Sequence, residues 1–174
     1  MNKILIILLL FASTINAQDK NNILIDSKSG KPMLVGLCDR EAFVDTNFSW
    51  WFDSGYKFYH PDTTVVTRLQ ELDNNYTITI VMATWCSDSR REVPRFYKLL
   101  DELNFSDGKV TLINVNRKKD GIDTDVSSLN IKLVPTFIVY SNEKEIGRII
   151  ETPKKSLEKD LLKIINKIKV LKQK

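Results

Sequence analysis

The sequence predicts an α/β protein with a mixed central sheet, helices on both faces and an extension on its N-terminal side. Three observations carry this expectation. From Pro61 onward the patterns run helix, strand, helix, strand, helix, strand, strand, helix. Tyr76–Met82 (YTITIVM) is β-branched and ends in a continuous apolar run, as a buried central strand requires. The last helical segment places Leu157, Leu161, Ile164, Ile165 and Ile168 on one stripe, with lysines opposite.

Taken in order, residues 1–17 (MNKILIILLLFASTINA) read as a secretory signal peptide. Lys3 supplies the charged start, Ile4 to Ala12 the apolar stretch, and Ile15-Asn16-Ala17 the cleavage site. Residues 18–61 form an aromatic-rich extension. Within it Ile23–Ile25 and Met33–Leu37 are expected as short strands around a Ser-Gly-Lys-Pro turn. Half of the chain's aromatic residues follow between Phe43 and Tyr59; they show no clean period and are expected to be irregular. Residues 62–174 form the α/β domain. A helix capped by Asp62 or Thr63 carries Val65, Val66, Leu69 and Leu72, and Asn74-Asn75 ends it. After the strand Tyr76–Met82 comes a helix over Ser87–Leu103, then a strand over Lys109–Val115, which a right-handed crossover makes parallel to the first. A short helix is expected near Asp123–Leu129. Thr136–Tyr140 and Glu145–Ile150 pair as a hairpin, and Ser156 to Leu171 is the closing helix.

With 174 residues and 43% hydrophobic content, the chain has enough apolar material for one core. Its net charge of +4 is interleaved with acids rather than gathered beside aromatics, which argues against nucleic-acid binding. The N-terminal apolar run is short for a bilayer span, so the mature chain is expected to have none. One histidine, His60, and two cysteines are too few for a metal site, and no cofactor is expected.

The chemistry gathers in MATWCSDSRREVP, Met82–Pro94. Cys86 stands at the start of a helix, where unpaired backbone N–H groups and the helix dipole favour a thiolate. Arg90 and Arg91 would add to this if either turns back toward the sulfur, and Asp88 opposes them. Ser89, one turn on, can offer its hydroxyl to the thiolate. Cys38 has three open readings: a small buried hydrophobe, a resolving thiol, or half of a structural disulfide with Cys86.

Trp85-Cys86-Ser87-Asp88-Ser89 after an apolar strand resembles the active-site turn of the thioredoxin family, whose pattern is Trp-Cys-x-x-Cys. Pro94 resembles the family's helix-kinking proline, Val134-Pro135-Thr136 its cis-proline loop, and Gly147 the glycine of its final strand. The resemblance spans Asp62 to the C-terminus and implies a thioredoxin-like fold. It also implies that Trp85, Val134 and Pro135 contact substrate and that Cys86 is the nucleophile, with Ser89 beside it. Two departures stand out: Ser89 replaces the second cysteine, and Ile80 occupies the place of a buried acid. The expected function is an exported monothiol thiol–disulfide oxidoreductase or isomerase of a bacterial periplasm or the medium. Its partners would be clients with disulfides or thiols, and a small thiol or upstream reductase. A non-catalytic or client-trapping binding module is the alternative. Release of a mixed disulfide must come from a client thiol, a small thiol or Cys38.

Overall fold

The computed structural model describes residues 20–72 and 75–172; the expected signal peptide lies outside the described residues. Six strands form one mixed sheet in the order β1-β2-β4-β3-β5-β6. They are β1 (Asn22–Ile25), β2 (Pro32–Cys38), β3 (Thr77–Met82), β4 (Val110–Asn114), β5 (Thr136–Ser141) and β6 (Lys144–Ile150). The helices are α1 (Thr46–Lys57), α2 (Thr63–Gln70), α3 (Ser87–Glu102) and α4 (Leu157–Lys172). As expected, β3 and β4 are parallel, Ile80 opposite Leu112, and β5 and β6 form a hairpin. The strands of the N-terminal extension join the same sheet, β2 running antiparallel to β4 with Cys38 opposite Leu112. No helix among the described residues is long and apolar enough to cross a membrane.

Period-two alternation sorts the strands onto two faces. Ile78, Ile80 and Met82 point into the larger cluster, which collects the apolar stripes of all four α-helices, the predicted α4 stripe included. Val81 and Ala83 point the other way, into a smaller cluster with Ile113, Val115, Val126 and Val134. The connection from β4 to β5 covers this second face. The short helix expected near Asp123–Leu129 is there only a 3-10 turn, Ser127–Leu129, ended by Asn130 in the left-handed region.

The aromatic segment corrects the expectation of irregular chain. A 3-10 helix, Arg40–Val44, leads into α1, capped by Asp45, whose carboxylate accepts from the Asn47 N–H. Phe48, Trp51 and Phe52 are buried, while Trp50 and Phe58 are exposed and blur the pattern in the sequence. Phe43 stacks on Phe52 at 4.5 Å between ring centres and meets Trp51 edge-on at 5.4 Å. Arg40 pairs with both oxygens of Asp101 on α3 at 2.9 and 2.7 Å, and Tyr56 donates to the same carboxylate at 2.6 Å. Burial alone would raise the Asp101 carboxyl, but these partners outweigh it and hold its pKa below the usual value. The extension is therefore clamped to the helix that begins at Cys86.

Two of the anticipated signals have direct physical reasons. Asp62 caps α2 by accepting from the N–H groups of Thr64 and Val65. Gly147 lets α4 approach β6 closely, since a Cβ there would lie 3.0 Å from Cγ1 of Ile164. The hairpin turn is shorter than the four residues expected. Asn142 and Glu143 alone make it, both with positive φ, as a two-residue primed turn requires.

Candidate active site

The chain leaves β3 at Met82 and turns through Ala83, Thr84 and Trp85 before α3 begins. Cys86 is the N-cap residue of α3, with φ −90° and ψ 128°, and its carbonyl accepts from the Arg90 N–H at 3.1 Å. Its own N–H donates to Ala83 O at 2.9 Å, which closes the turn. The partly exposed thiol donates to Val134 O at 3.3 Å. The Val134–Pro135 peptide bond is cis, as the resemblance implied.

That loop is held from both sides. Thr136 Oγ1 donates to Leu133 O at 2.7 Å, and the Glu151 N–H donates to Pro135 O at 2.7 Å. Val134 and Pro135 are buried. The Val134 N–H, outside the strand ladders, makes no hydrogen bond among the described residues.

Ser89, one turn after Cys86, is tied to the turn that precedes the helix. It is fully buried, and its Oγ accepts from the Ala83 N–H at 3.2 Å. The hydroxyl fastens the turn, while the sulfur takes Val134 O as its partner. The two arginines have partners other than the thiol. Arg91 pairs with Asp88 and Glu92, each at 2.6 Å, and Arg90 lies over the Trp50 ring at 6.0 Å.

Trp85 is fixed by more than packing. Its Nε1 donates to Val115 O at 3.0 Å, and the Arg117 guanidinium covers the ring at 4.8 Å. Arg117 in turn grips both oxygens of Asp26 at 2.7 Å. Asp26 is buried and also accepts from Ser29 Oγ at 2.5 Å. Arg117 first, and then Ser29, hold this carboxyl well below the usual carboxylate range. Thr84 Oγ1 accepts from the Leu34 N–H at 3.1 Å, so the turn before Cys86 is buttressed by the added β1–β2 hairpin. Sequence reasoning did not find Asp26 and Arg117, which stand 91 positions apart with no local pattern linking them.

Cys38 is not brought to Cys86. It sits 4% exposed in the larger cluster, its Sγ 3.6 Å from Gly36 O, whereas Cys86 packs with the smaller cluster on the opposite face. Burial pushes its thiol up to about 11. Both cysteines are free, which removes the structural-disulfide reading and leaves Cys38 as a buried hydrophobe rather than a resolving thiol in this structure. His60 is exposed, and no group of potential metal ligands occurs among the described residues. Ile80, at the place of the family's buried acid, is fully enclosed in the apolar core.

Comparison with known proteins agrees with this geometry. Over 103 residues the chain is 29% identical to Thioredoxin H9 of Arabidopsis thaliana, an alignment covering 58% of this chain and 69% of that protein. Thioredoxin H2 of the same plant is 29% identical over 91 residues, 52% of this chain and 64% of the relative. Among solved structures, a Pseudomonas aeruginosa protein of unknown function superposes with a TM-score of 0.54 at 17% identity, over 75% of this chain and 92% of its own. An HIV epitope scaffold gives 0.56 at 16%, over 74% and 92%. At such identities the superpositions speak for the fold alone. Residues 63–167, which hold Cys86 and the cis-proline loop, match the thioredoxin family model, and the chain belongs to the thioredoxin family.

Proposed function

We propose that the protein is a monothiol thiol–disulfide oxidoreductase or isomerase that works through a mixed disulfide at Cys86. One observation carries the reading: a partly exposed thiol lies 3.3 Å from the carbonyl of the cis-proline loop, and the chain's other thiol is buried on the opposite face of the sheet. In the first step the Cys86 thiolate attacks a client disulfide, forming a Cys86–client S–S bond and releasing the client's second sulfur as a thiolate, which takes up a proton. The Val134 N–H offers the client backbone a hydrogen bond in the manner of an added strand. Trp85, immobilised between Val115 and Arg117, presents an apolar wall beside the sulfur. Ser89 keeps the turn in shape through Ala83, and its hydroxyl proton can be offered to the thiolate.

With serine at the second position, the mixed disulfide cannot be broken from within the turn. A client thiol restores Cys86 in isomerisation, and an external thiol restores it in reduction. The same observation favours a second reading, in which the adduct is long-lived and the protein retains its clients. In keeping with residues 1–17, the proposed place of action is a bacterial periplasm or the medium outside the cell.

The deciding assay incubates the mature protein with a disulfide-scrambled substrate and glutathione. Reactivation that is lost in Cys86→Ala supports the oxidoreductase reading; equal reactivation in that variant removes it. Adducts that persist for hours in the presence of glutathione select retention instead.

A further inference from the structure

A cleft of about 500 Å³ opens beside the Trp85–Cys86 turn, between the added hairpin, α1 and the start of α3. Its charged lining is three cations, Lys31, Arg90 and Arg117, against one carboxylate, Asp26. Arg117 and Asp26 neutralise each other in the bidentate pair already described. Lys31 and Arg90 have no ion pair among the described residues, although the nearby Arg91 has two. Trp50, 65% exposed, stands at the same cleft with Arg90 over its ring, and Trp85, the neighbour of Cys86 in the chain, also lines it.

We infer that this cleft binds a low-molecular-weight thiol bearing carboxylates, and that this thiol is the one that frees Cys86. The inference rests on the monothiol reading and names the reductant for it. Size, charge and position each favour this occupant. The volume falls within the range of small-molecule sites, about 300–1,000 Å³. Two uncompensated cations call for carboxylates. Cys86 itself is not in the lining, but the residue before it and the residue one turn after it are, so the cleft adjoins the turn that carries the sulfur.

The electron balance is complete with this thiol as reductant. One small thiolate attacks the Cys86 sulfur of the mixed disulfide, and the client leaves as a thiolate that takes up a proton. A second small thiolate attacks the sulfur of the first, leaving Cys86 as a thiolate and yielding the small disulfide. In sum, one client disulfide and two small thiols become one client dithiol and one small disulfide.

The test uses the mature chain and glutathione as the anionic probe. Cys86 is first converted to its mixed disulfide with 2-mercaptoethanol. Release is then timed with glutathione and with cysteamine, a cationic thiol, at equal thiolate concentrations. Glutathione should be faster by about tenfold at low salt, falling toward parity at high salt, as charge steering requires. In the Lys31→Ser/Arg90→Ser double variant the ratio should drop to about one; because it is taken within each protein, it cancels any change in Cys86 itself. An unchanged ratio overturns the inference. S-methylglutathione, which has no thiol, gives a second readout through the NMR signal of the Trp50 indole. Saturable binding that weakens in the double variant upholds the cleft even if Cys86 forms no mixed disulfide, a result that would remove the oxidoreductase reading alone. No binding and no preference, with Cys86 still reactive, removes the cleft and leaves that reading standing.

Discussion

Gly55→Ala gives a sharp test of how the aromatic extension meets the family's core. In an exposed helix interior this change stabilises, because alanine is the better helix former by about 1 kcal/mol. Here the added Cβ would stand 2.6 Å from Cγ and 3.2 Å from Cβ of Pro94 on α3. Ordinary carbon contacts lie at about 3.5–4.0 Å, so the overlap is near 1 Å. The ring is buried inside α3 and cannot swing aside as a long side chain would. Overpacking of this kind costs about 1–3 kcal/mol, and a rigid neighbour places it near the upper end. Setting the helix gain against it leaves a net loss of about 2 kcal/mol. For a chain of this length that is a fall in Tm of about 4–8 °C. Urea and thermal melts read the change directly. A rise in Tm would refute the reasoning, since it would mean that α1 does not rest on α3. A double-mutant cycle with Pro94→Ala adds the pair's coupling, expected at about 2 kcal/mol.

Three further outcomes follow from the same geometry. Ser89→Ala leaves the buried Ala83 N–H without its acceptor and should cost about 1–3 kcal/mol in urea melts; an unchanged midpoint would deny Ser89 its structural role. Because Arg117 lowers the Asp26 carboxyl in the folded state, its stabilising effect is complete above the unfolded carboxylate pKa and is lost as the pH falls through the lower folded value. Wild-type stability should therefore fall more steeply than that of Asp26→Asn from about pH 5 to pH 2, and parallel curves would contradict the pairing. With its thiol raised to about 11 and buried, Cys38 should resist iodoacetamide at pH 8, so that intact mass shows one label natively and two after unfolding. Two rapid labels on the native protein would contradict its burial.

The parts of the fold that could be read in advance are those written locally. The apolar end of β3, the α4 stripe and the Asp62 cap each lie within one segment and obey one period. The Cys86 turn and the Val134–Pro135 loop were legible because short motifs mark them. Helix α1 was not, although Phe48, Trp51, Phe52 and Tyr56 are spaced as one helical face. Trp50 and Phe58 project to solvent and break the apolar pattern, one beside Arg90 and the other beside Lys57. Asp26 was not singled out: it holds its own turn through Ser29 and Lys28, and its other partner, Arg117, is visible only once β2 lies against β4. Ser89 has a further role of the same kind. Its spacing from Cys86 is that of a helical neighbour, but the group that claims its oxygen is a backbone amide of the preceding turn.

The central claim is that Cys86 reacts and has no partner sulfur in its own chain. Intact mass after acid quenching of a reaction with a disulfide-bonded peptide measures this directly. The expected spectrum shows one peptide adduct in the wild type and in Cys38→Ser, none in Cys86→Ser, and no intramolecular disulfide as the adduct decays. An adduct that survives in Cys86→Ser, or a Cys38–Cys86 disulfide formed as peptide is released, would contradict it.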